Sequence, residues 1–157
     1  MGRIVVGVDG SEGSRRALHW AVDEATLRGA SLEVIHTYEH HLSWQGYGTD
    51  ESMSAAAVEA MREEIESAAR EAAKHAQALV DRMVEGLDVP EVTATAVESS
   101  HPARTLVEHS KDAELLVVGS RGRGGFKSLM LGSVSQQCAQ HAECPVVIIR
   151  SKPEDQA

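Results

Sequence analysis

Aromatic residues are scarce in this chain: phenylalanine, tyrosine and tryptophan together make up 3% of its 157 residues. A hydrophobic core must therefore be built mainly from valine, isoleucine, leucine, alanine and methionine. The chain also lacks any apolar run near the roughly 18 residues that a membrane-spanning helix needs. Its first residues, Met1–Arg3, lead into a strand pattern and not into a signal peptide. These absences predict a cytoplasmic protein with no membrane partner.

Cysteine and positive charge are limited as well. The two cysteines, Cys138 and Cys144, are predicted to be free thiols, because disulfides are rare in a reducing compartment. The formal net charge is −9 at pH 7, whereas binding to nucleic acid requires a basic surface. The acidic balance therefore argues against a nucleic-acid partner.

Short apolar stretches alternate with amphipathic ones along the chain. The predicted strands are 3–8, 31–38, 92–97, 114–118 and 146–149, and the predicted helices are about 12–28, 55–84, 102–110 and 133–141. This order requires parallel strands joined by right-handed crossovers. We therefore predict a doubly wound, Rossmann-like α/β fold with strand order 3-2-1-4-5. One domain is expected over residues 1–150, followed by a polar tail over 151–157.

The second predicted helix is unusually long. Thirty residues of helix would span about 45 Å, so its first turns are expected to overhang the sheet or to break near Ala60. Its apolar residues recur at steps of three or four and are predicted to be core. The segment before it, Glu39–Ser54, has no regular pattern and is predicted to be a mobile surface loop. The adjacent His40 and His41 in that loop are a weak signal for a metal site.

A glycine-rich segment without acidic residues, Gly119–Ser135, follows the fourth predicted strand. It contains three cations, Arg121, Arg123 and Lys127, and it ends where the fourth helix begins. Glycines allow backbone amides to approach a phosphate closely, and a serine-capped helix start would add its amides and its dipole. This segment is therefore predicted to bind a nucleotide.

Two common nucleotide-binding motifs are absent. The spacing from Gly119 to Gly124 begins like a P-loop, but Gly125–Phe126 stands where that motif has lysine followed by serine or threonine. The first strand–helix turn, near Asp9, lacks the Gly-x-Gly-x-x-Gly of dinucleotide sites. The spacing that does occur is Gly-x2-Gly-x9-Gly-Ser, formed by Gly119, Gly122, Gly132 and Ser133.

This spacing resembles the ATP-binding branch of the universal stress protein family, as do Ile4–Ser11 and Cys144–Ile149. The resemblance covers essentially Arg3–Arg150. It implies that ATP, with ADP and AMP as alternatives, is held by the motif and by neighbouring amides. The residues concerned are Gly119, Gly122, Gly132, Ser133, Val134 and Ser135. It also implies that Asp9 contacts the ribose, the phosphates or a Mg²⁺ ion, and that the backbone near Thr37 meets the adenine.

Four further residues complete the candidate nucleotide site. Arg121 and Arg123 are candidates for charge-assisted bonds to phosphate, and Ser11 and Gly124 adjoin the predicted contacts. The sequence departs from the family pattern at His101, where many members have glycine before the proline. The Glu39–Ser54 loop also has a sequence of its own, so the adenine side of the site stays open.

Three functions remain open at this point. In the first, bound ATP regulates a conformation or a dimer in a stress response, without rapid chemistry. In the second, the protein is a slow ATPase or adenylate-handling hydrolase in which Asp9 holds Mg²⁺. The third is a dimeric interaction protein with a vestigial pocket. The lack of a Walker lysine and of an evident water-activating base favours the first, and no catalytic residue is assigned.

The last predicted strand, Val146–Ile149, bears on oligomeric state. It is short, wholly apolar and predicted to lie at a sheet edge, where an unpaired strand invites association. The family resemblance implies that two copies of the chain pair through it, so a homodimer is expected.

Overall fold

The computed structural model of the protein describes residues 2–40, 53–123 and 130–150. Most of the predicted Glu39–Ser54 loop, Gly124, Lys127 and the tail at 151–157 lie outside these residues. The elements, in chain order, are β1 (Arg3–Val8), α1 (Glu12–Arg28), β2 (Ser31–Tyr38), α2 (Ala55–Val84), β3 (Val92–Glu98), α3 (Pro102–His109), β4 (Leu115–Gly119), α4 (Ser133–His141) and β5 (Val146–Ile149).

The strands form one parallel sheet with the order β3-β2-β1-β4-β5, which confirms the predicted fold class and strand order. The central strand is β1, where Val6 lies opposite Val34 of β2 on one side and opposite Val117 of β4 on the other. A parallel strand in this position is covered on both faces, so it must be apolar on both. Accordingly Val5 and Val6, whose side chains point to opposite faces, are both fully buried.

Two layers of helices cover the sheet, one on each face. Helices α1 and α2 pack on the face that presents Ile4, Val6 and Val8, and helices α3 and α4 pack on the face that presents Val5. The alanines of α1 that face the sheet are fully buried, namely Ala17, Ala21 and Ala25. Small residues allow the helix to approach the sheet closely, which suits a core with few aromatic rings.

Helix α2 is continuous from Ala55 to Val84, so the predicted break near Ala60 does not occur. Its first turns are exposed, as the predicted overhang requires. The prediction that its whole apolar stripe is core was wrong, because only Ala76 and Val80 are buried. The reason is length: strands of six to eight residues span about 20–27 Å, so a thirty-residue helix outruns the sheet that could cover it.

The connections at the carboxyl ends of β1 and β4 diverge. β1 leads into α1 on one face, whereas the chain after β4 leads to α4 on the other face. Between these adjacent strands the connections reverse direction, and a crevice opens outside the strand ends. The predicted site residues follow these two strands, and the crevice therefore brings them together.

Candidate functional site

A cavity of about 530 Å³ occupies this crevice. Its walls come from the ends of β1, β2 and β4, the loop after β4 and the first turns of α3 and α4. Ten of the twelve predicted site residues line it: Asp9, Thr37, Gly119, Arg121, Gly122, Arg123, Gly132, Ser133, Val134 and Ser135. Ser11 is not among the described residues that line the cavity, and Gly124 lies outside the described part of the chain.

Asp9 connects the two sides of the crevice. Its Oδ1 accepts a hydrogen bond from the Ser11 N–H at 2.9 Å, and its Oδ2 accepts one from the Arg123 N–H at 3.1 Å. The first bond closes the turn between β1 and α1, and the second holds the loop after β4 against that turn. The same carboxylate thus fixes both segments.

The carboxyl group of Asp9 stays ionised at neutral pH. Partial burial alone raises its pKa, but the hydrogen bonds from Ser11, Ser14 and the Arg123 N–H outweigh burial and hold the pKa below its ordinary value of 3.8. Hydrogen bonds to a carboxylate favour the charged form. The cavity therefore contains a fixed negative charge beside its glycine-rich wall.

Serine hydroxyls organise the start of α1. Ser11 is the N-cap, and its Oγ accepts from the Ser14 N–H at 3.2 Å. Ser14 is buried, and its Oγ lies 2.9 Å from the Ser11 carbonyl, to which it donates, and 3.3 Å from the Asp9 N–H, from which it accepts. Sequence reasoning missed Ser14, which lines the cavity. The only signal was its place three residues after the capping serine.

Two glycines of the motif lie in close contact with other parts of the protein. A Cβ added to Gly119 would lie 3.1 Å from the backbone of Gly13 in the first turn of α1. A Cβ added to Gly122 would lie 2.5 Å from Asp9 Oδ2, and would displace the carboxylate from the Arg123 N–H. These two glycines let the loop pack against α1 and Asp9.

Gly132 differs from those two glycines. Among the described residues, a Cβ added there would meet nothing closer than the Arg121 Cα at 3.4 Å, which is an ordinary contact. Its backbone is extended, with φ −76° and ψ 168°, a conformation open to any residue. Neither packing nor conformation therefore calls for glycine at this position, which lines the cavity.

The prediction of a serine-capped start to α4 was wrong. Gly132 is the N-cap and offers no side-chain cap, while Ser133 is the first helical residue. The Ser135 hydroxyl, which is buried, donates to backbone carbonyls and lies 2.9 Å from that of Ser120. The first helical N–H···O bond is donated by Gln136, and the amides of Ser133, Val134 and Ser135 have no acceptor among the described residues. These donors lie at the cavity wall.

Positive charge adjoins this amide-rich wall. Arg121 and Arg123 both line the cavity. The guanidinium of Arg123 lies over the turn after β1, because a Cβ added to Gly10 would be 2.7 Å from its Nη2. The φ of Gly10 is 79°, the left-handed region that favours glycine. Glycine at this position thus suits the turn and leaves room for the arginine.

The opposite wall is apolar and was largely missed from the sequence. It includes Ile35 of β2, Pro102 and Leu106 of α3, and Val118 of β4. Helix α3 starts at the carboxyl edge of the sheet, where ligands bind in such folds. This position could have indicated from the sequence that α3 lines the cavity. The cavity therefore has one polar, cationic side and one apolar side.

Within the described residues, no group of three or more histidine, cysteine, aspartate or glutamate side chains is arranged to hold a metal ion. His41, half of the predicted histidine pair, lies outside that part of the chain. Both cysteines are free thiols, as predicted, and burial raises the pKa of Cys138 to about 11. No helix of the described chain is both long and apolar enough to cross a membrane.

A doubly wound parallel sheet with an amide-rich cavity at its switch point defines a class of α/β proteins that bind small ligands there. The chain matches the universal stress protein family over residues 1–150. It belongs to that family.

Two relatives from Mycobacterium tuberculosis illustrate the similarity in sequence. The universal stress protein Rv2623 is 34% identical over 151 residues, which cover 94% of this chain and 44% of the relative. The universal stress protein Rv2624c is 35% identical over 158 residues, which cover 100% of this chain and 51% of the relative. The chain therefore spans about half the length of the curated relatives it matches.

Solved structures share the fold. The universal stress protein UspA from Lactobacillus plantarum has a TM-score of 0.65 at 21% identity, covering 95% of this chain and 97% of its own. A universal stress protein in complex with cAMP has a TM-score of 0.62 at 24% identity, covering 96% and 98%. An Arabidopsis thaliana family protein with AMP bound has a TM-score of 0.57 at 17% identity, covering 99% and 95%.

Proposed function

We propose that this protein binds an adenine nucleotide, ATP foremost and ADP or AMP as alternatives, and acts as a regulatory factor in a stress response. The observation that carries the proposal is the start of α4. There Gly132 lines the cavity although no contact with a described residue requires a glycine, and the following amides have no acceptor among the described residues. A helix start of this kind favours an anion.

The two walls of the cavity suit the two ends of a nucleotide. The phosphates meet the amides of Ser133–Ser135 and the guanidinium groups of Arg121 and Arg123. The base packs on the apolar wall, which includes Leu106, and meets the backbone near Thr37. One solved family member is in complex with cAMP and another has AMP bound, which supports an adenine nucleotide as the ligand.

Three of the candidate residues have particular roles in this proposal. Asp9 contacts the ribose or the phosphates from its position between the two loops. Ser11 acts through the cap of α1, since its hydroxyl accepts from the Ser14 N–H. Gly124 remains a predicted contact within the same loop.

A magnesium ion fits this site only together with phosphates. Mg²⁺ is commonly held by one or two carboxylates and by the phosphates of its nucleotide. Asp9 is the carboxylate that lines the cavity. Each of its oxygens accepts one N–H and keeps another lone pair. We propose Asp9 as the residue that holds Mg²⁺, which would neutralise phosphate charge when bound.

The lowered pKa of Asp9 favours a regulatory function over hydrolysis. A general base works best when its pKa lies near the working pH, whereas the pKa of Asp9 is lowered. No other carboxylate lines the described cavity. The protein is therefore proposed to bind ATP without rapid turnover. From its composition and its net charge of −9, we further propose that it acts in the cytoplasm and does not bind nucleic acid.

The protein is further proposed to form a homodimer through β5. All four residues of β5 are apolar and only partly buried, and β5 is an outer strand of the sheet. Pairing between copies would cover this edge. Residues 1–150 act as one nucleotide-binding unit in this proposal, with 151–157 as a polar tail.

The nucleotide proposal is tested by titrating purified protein with ATP, ADP and AMP in a calorimeter, after mass spectrometry of any ligand released on denaturation. Gly132→Val should weaken binding at least about tenfold, or about 1.4 kcal/mol, because the side chain blocks the approach of phosphate to the α4 amides. Gly132→Ala is the matched control with a smaller side chain, and it should weaken binding less.

Wild-type affinity in Gly132→Val would place the site elsewhere. The regulatory role is tested separately by incubating the protein with ATP and Mg²⁺. Protein-dependent turnover that is lost in Asp9→Asn would favour the hydrolase. If the melting temperature did not respond to ATP and no nucleotide co-purified, a vestigial pocket would be favoured.

A further inference from the structure

The two outer strands of the sheet, β3 and β5, differ in how their outer edges are covered. Backbone groups of successive residues in a strand point to alternate sides. The Leu32 N–H of β2 donates to the carbonyl of Glu91, just before β3, at 2.9 Å. Odd-numbered residues here therefore face β2. The carbonyl of Ala94 and the N–H of Ala96 point away from β2, to the outer edge.

Gln77 of α2 occupies that outer edge with its side-chain carboxamide. Its Nε2 donates to the Ala94 carbonyl at 2.9 Å, and its Oε1 accepts from the Ala96 N–H at 2.9 Å. In a parallel ladder, one residue of the neighbouring strand makes this pair of bonds to a carbonyl and to the amide two residues further on. Gln77 thus takes the place of a residue from an added strand.

A third bond fixes the orientation of the carboxamide. The other Nε2 hydrogen of Gln77 is donated to Asp81 Oδ1 at 2.8 Å. Reversing the amide would place oxygen against the Ala94 carbonyl and nitrogen against the Ala96 N–H, and all three bonds would be lost. The carboxylate of Asp81 also brings negative charge beside the edge, which discourages the approach of another strand.

The β5 edge has no comparable cover. Its sequence, Val146–Ile149, carries no charge, and its residues are half-buried. None of the side-chain hydrogen bonds recorded within the described part of the chain reaches its backbone. Within the described residues, one edge of the sheet is therefore closed by a side chain, and the other has no side-chain partner for its backbone.

We propose that Gln77 seals the β3 edge against strand addition and thereby restricts pairing between copies of this chain to the β5 edge. A chain with two open edges can pair on both sides, and contacts that do not close on themselves produce open-ended assemblies. With β3 sealed, assembly through strand edges stops at a pair. This role rests on the proposed homodimer through β5 and is independent of nucleotide binding.

The test replaces Gln77 with leucine, which is of similar size but makes none of the three bonds. Light scattering should then detect species larger than the wild type that grow as the protein concentration is raised. At protein concentrations low enough that the variant does not associate, exchange of the Ala96 amide hydrogen should become at least roughly fivefold faster, as expected for a lost hydrogen bond of typical strength. Val80→Ala is the control, because Val80 is fully buried three residues further along α2. It should destabilise the fold but keep the wild-type mass.

A wild-type mass for Gln77→Leu at all concentrations would overturn the proposal. Equal association of Val80→Ala would also overturn it, because lost stability would then be the cause. If Gln77→Leu does not fold, hydrogen exchange of the wild-type protein decides the matter. The proposal requires protection of the Ala96 amide from exchange, and an unprotected Ala96 would refute it.

Discussion

Two of the helices that begin beside the cavity, α1 and α4, have the same dipeptide at their starts but are capped differently. Gly10–Ser11 leads into α1, and there serine is the N-cap. Gly132–Ser133 leads into α4, and there glycine is the N-cap while serine is already helical. Relative to the dipeptide, α4 begins one residue earlier than α1. As a result, α1 has a side-chain cap and α4 has none. The first start satisfies the Ser14 amide with the side chain of its cap, and the second has no side-chain cap for the amides at the cavity wall.

The contacts around each dipeptide explain the shift. Before α1, Asp9 Oδ1 accepts from the Ser11 N–H, which holds Ser11 outside the helix as its cap. Before α4, the Gly132 N–H donates to the Ser120 carbonyl at 2.7 Å, which holds Gly132 in the capping position instead. The dipeptide is the same, but its hydrogen-bond partner differs: Asp9 stands two residues before Ser11, whereas Ser120 lies twelve residues before Gly132. The start of α4, which we propose as the phosphate site, is thus distinguished from that of α1 by its surroundings.

The largest expected effect comes from giving α4 the cap that it lacks. Aspartate at an N-cap accepts from the first-turn amides, and the backbone at Gly132 has room for a Cβ. Gly132→Asp should therefore leave the fold as stable as the wild type or more stable by a few tenths of a kcal/mol. It should weaken ATP binding at least about a hundredfold, or about 2.7 kcal/mol, because the carboxylate takes the amides and repels phosphate.

Calorimetric titration and urea unfolding measure these two quantities on one preparation. Gly132→Ala separates the loss of space from the added charge. Tight ATP binding by Gly132→Asp would mean that the start of α4 is not the phosphate site.

A smaller effect is expected at the other helix start. Ser11→Ala removes the cap of α1 and should lower the free energy of unfolding by about 1 kcal/mol. Because Ser11 does not line the described cavity, ATP affinity should change far less than in Gly132→Asp. Urea unfolding and calorimetry test both statements. A loss of affinity as large as that of Gly132→Asp would assign Ser11 a direct contact with the nucleotide.

The smallest effect is expected from the titration of Asp9. Its folded pKa is lowered below 3.8, so its hydrogen bonds add stability that is present above that value and is lost as the pH falls through the folded pKa. Asp9→Asn should be less stable than the wild type at pH 7, and the difference should shrink as the pH is lowered below about 4. Urea unfolding at several pH values measures this. A difference that stays constant down to pH 2 would mean that the Asp9 charge does not hold the loop.

Most of the fold followed from patterns that act over short distances. Apolar runs such as Leu115–Val118 predicted buried strands, and Gly29 marked the end of α1, where it adopts φ 61°. The strict alternation of strands and helices limited the topology, because crossovers between parallel strands are right-handed. The length of α2 was predicted from the helical spacing of its apolar residues. The burial of its stripe was not, because burial depends on how far the sheet extends beneath it.

Within the site, the motif spacing identified the loop, and strand order placed it against Asp9. The sequence did not distinguish the three motif glycines. Gly122 is explained by its contact with Asp9, which is more than a hundred residues away in the chain, and Gly132 is explained by no such contact. The apolar wall from α3, with Leu106, was also missed, since a leucine at helical spacing looks the same whether it faces a core or a cavity.

The sequence by itself determined the class of fold and the segment that forms the polar wall of the cavity. These depend on periodicity, on chirality and on glycine spacing, which act locally or limit topology as a whole. Tertiary structure alone decided which residue caps α4, which amides face the cavity, and that Gln77 closes the edge of β3. Each of these depends on a hydrogen bond between parts of the chain that meet only after folding. A carboxamide seventeen residues from Ala94, or a carbonyl twelve residues before Gly132, leaves no local pattern from which it could be predicted.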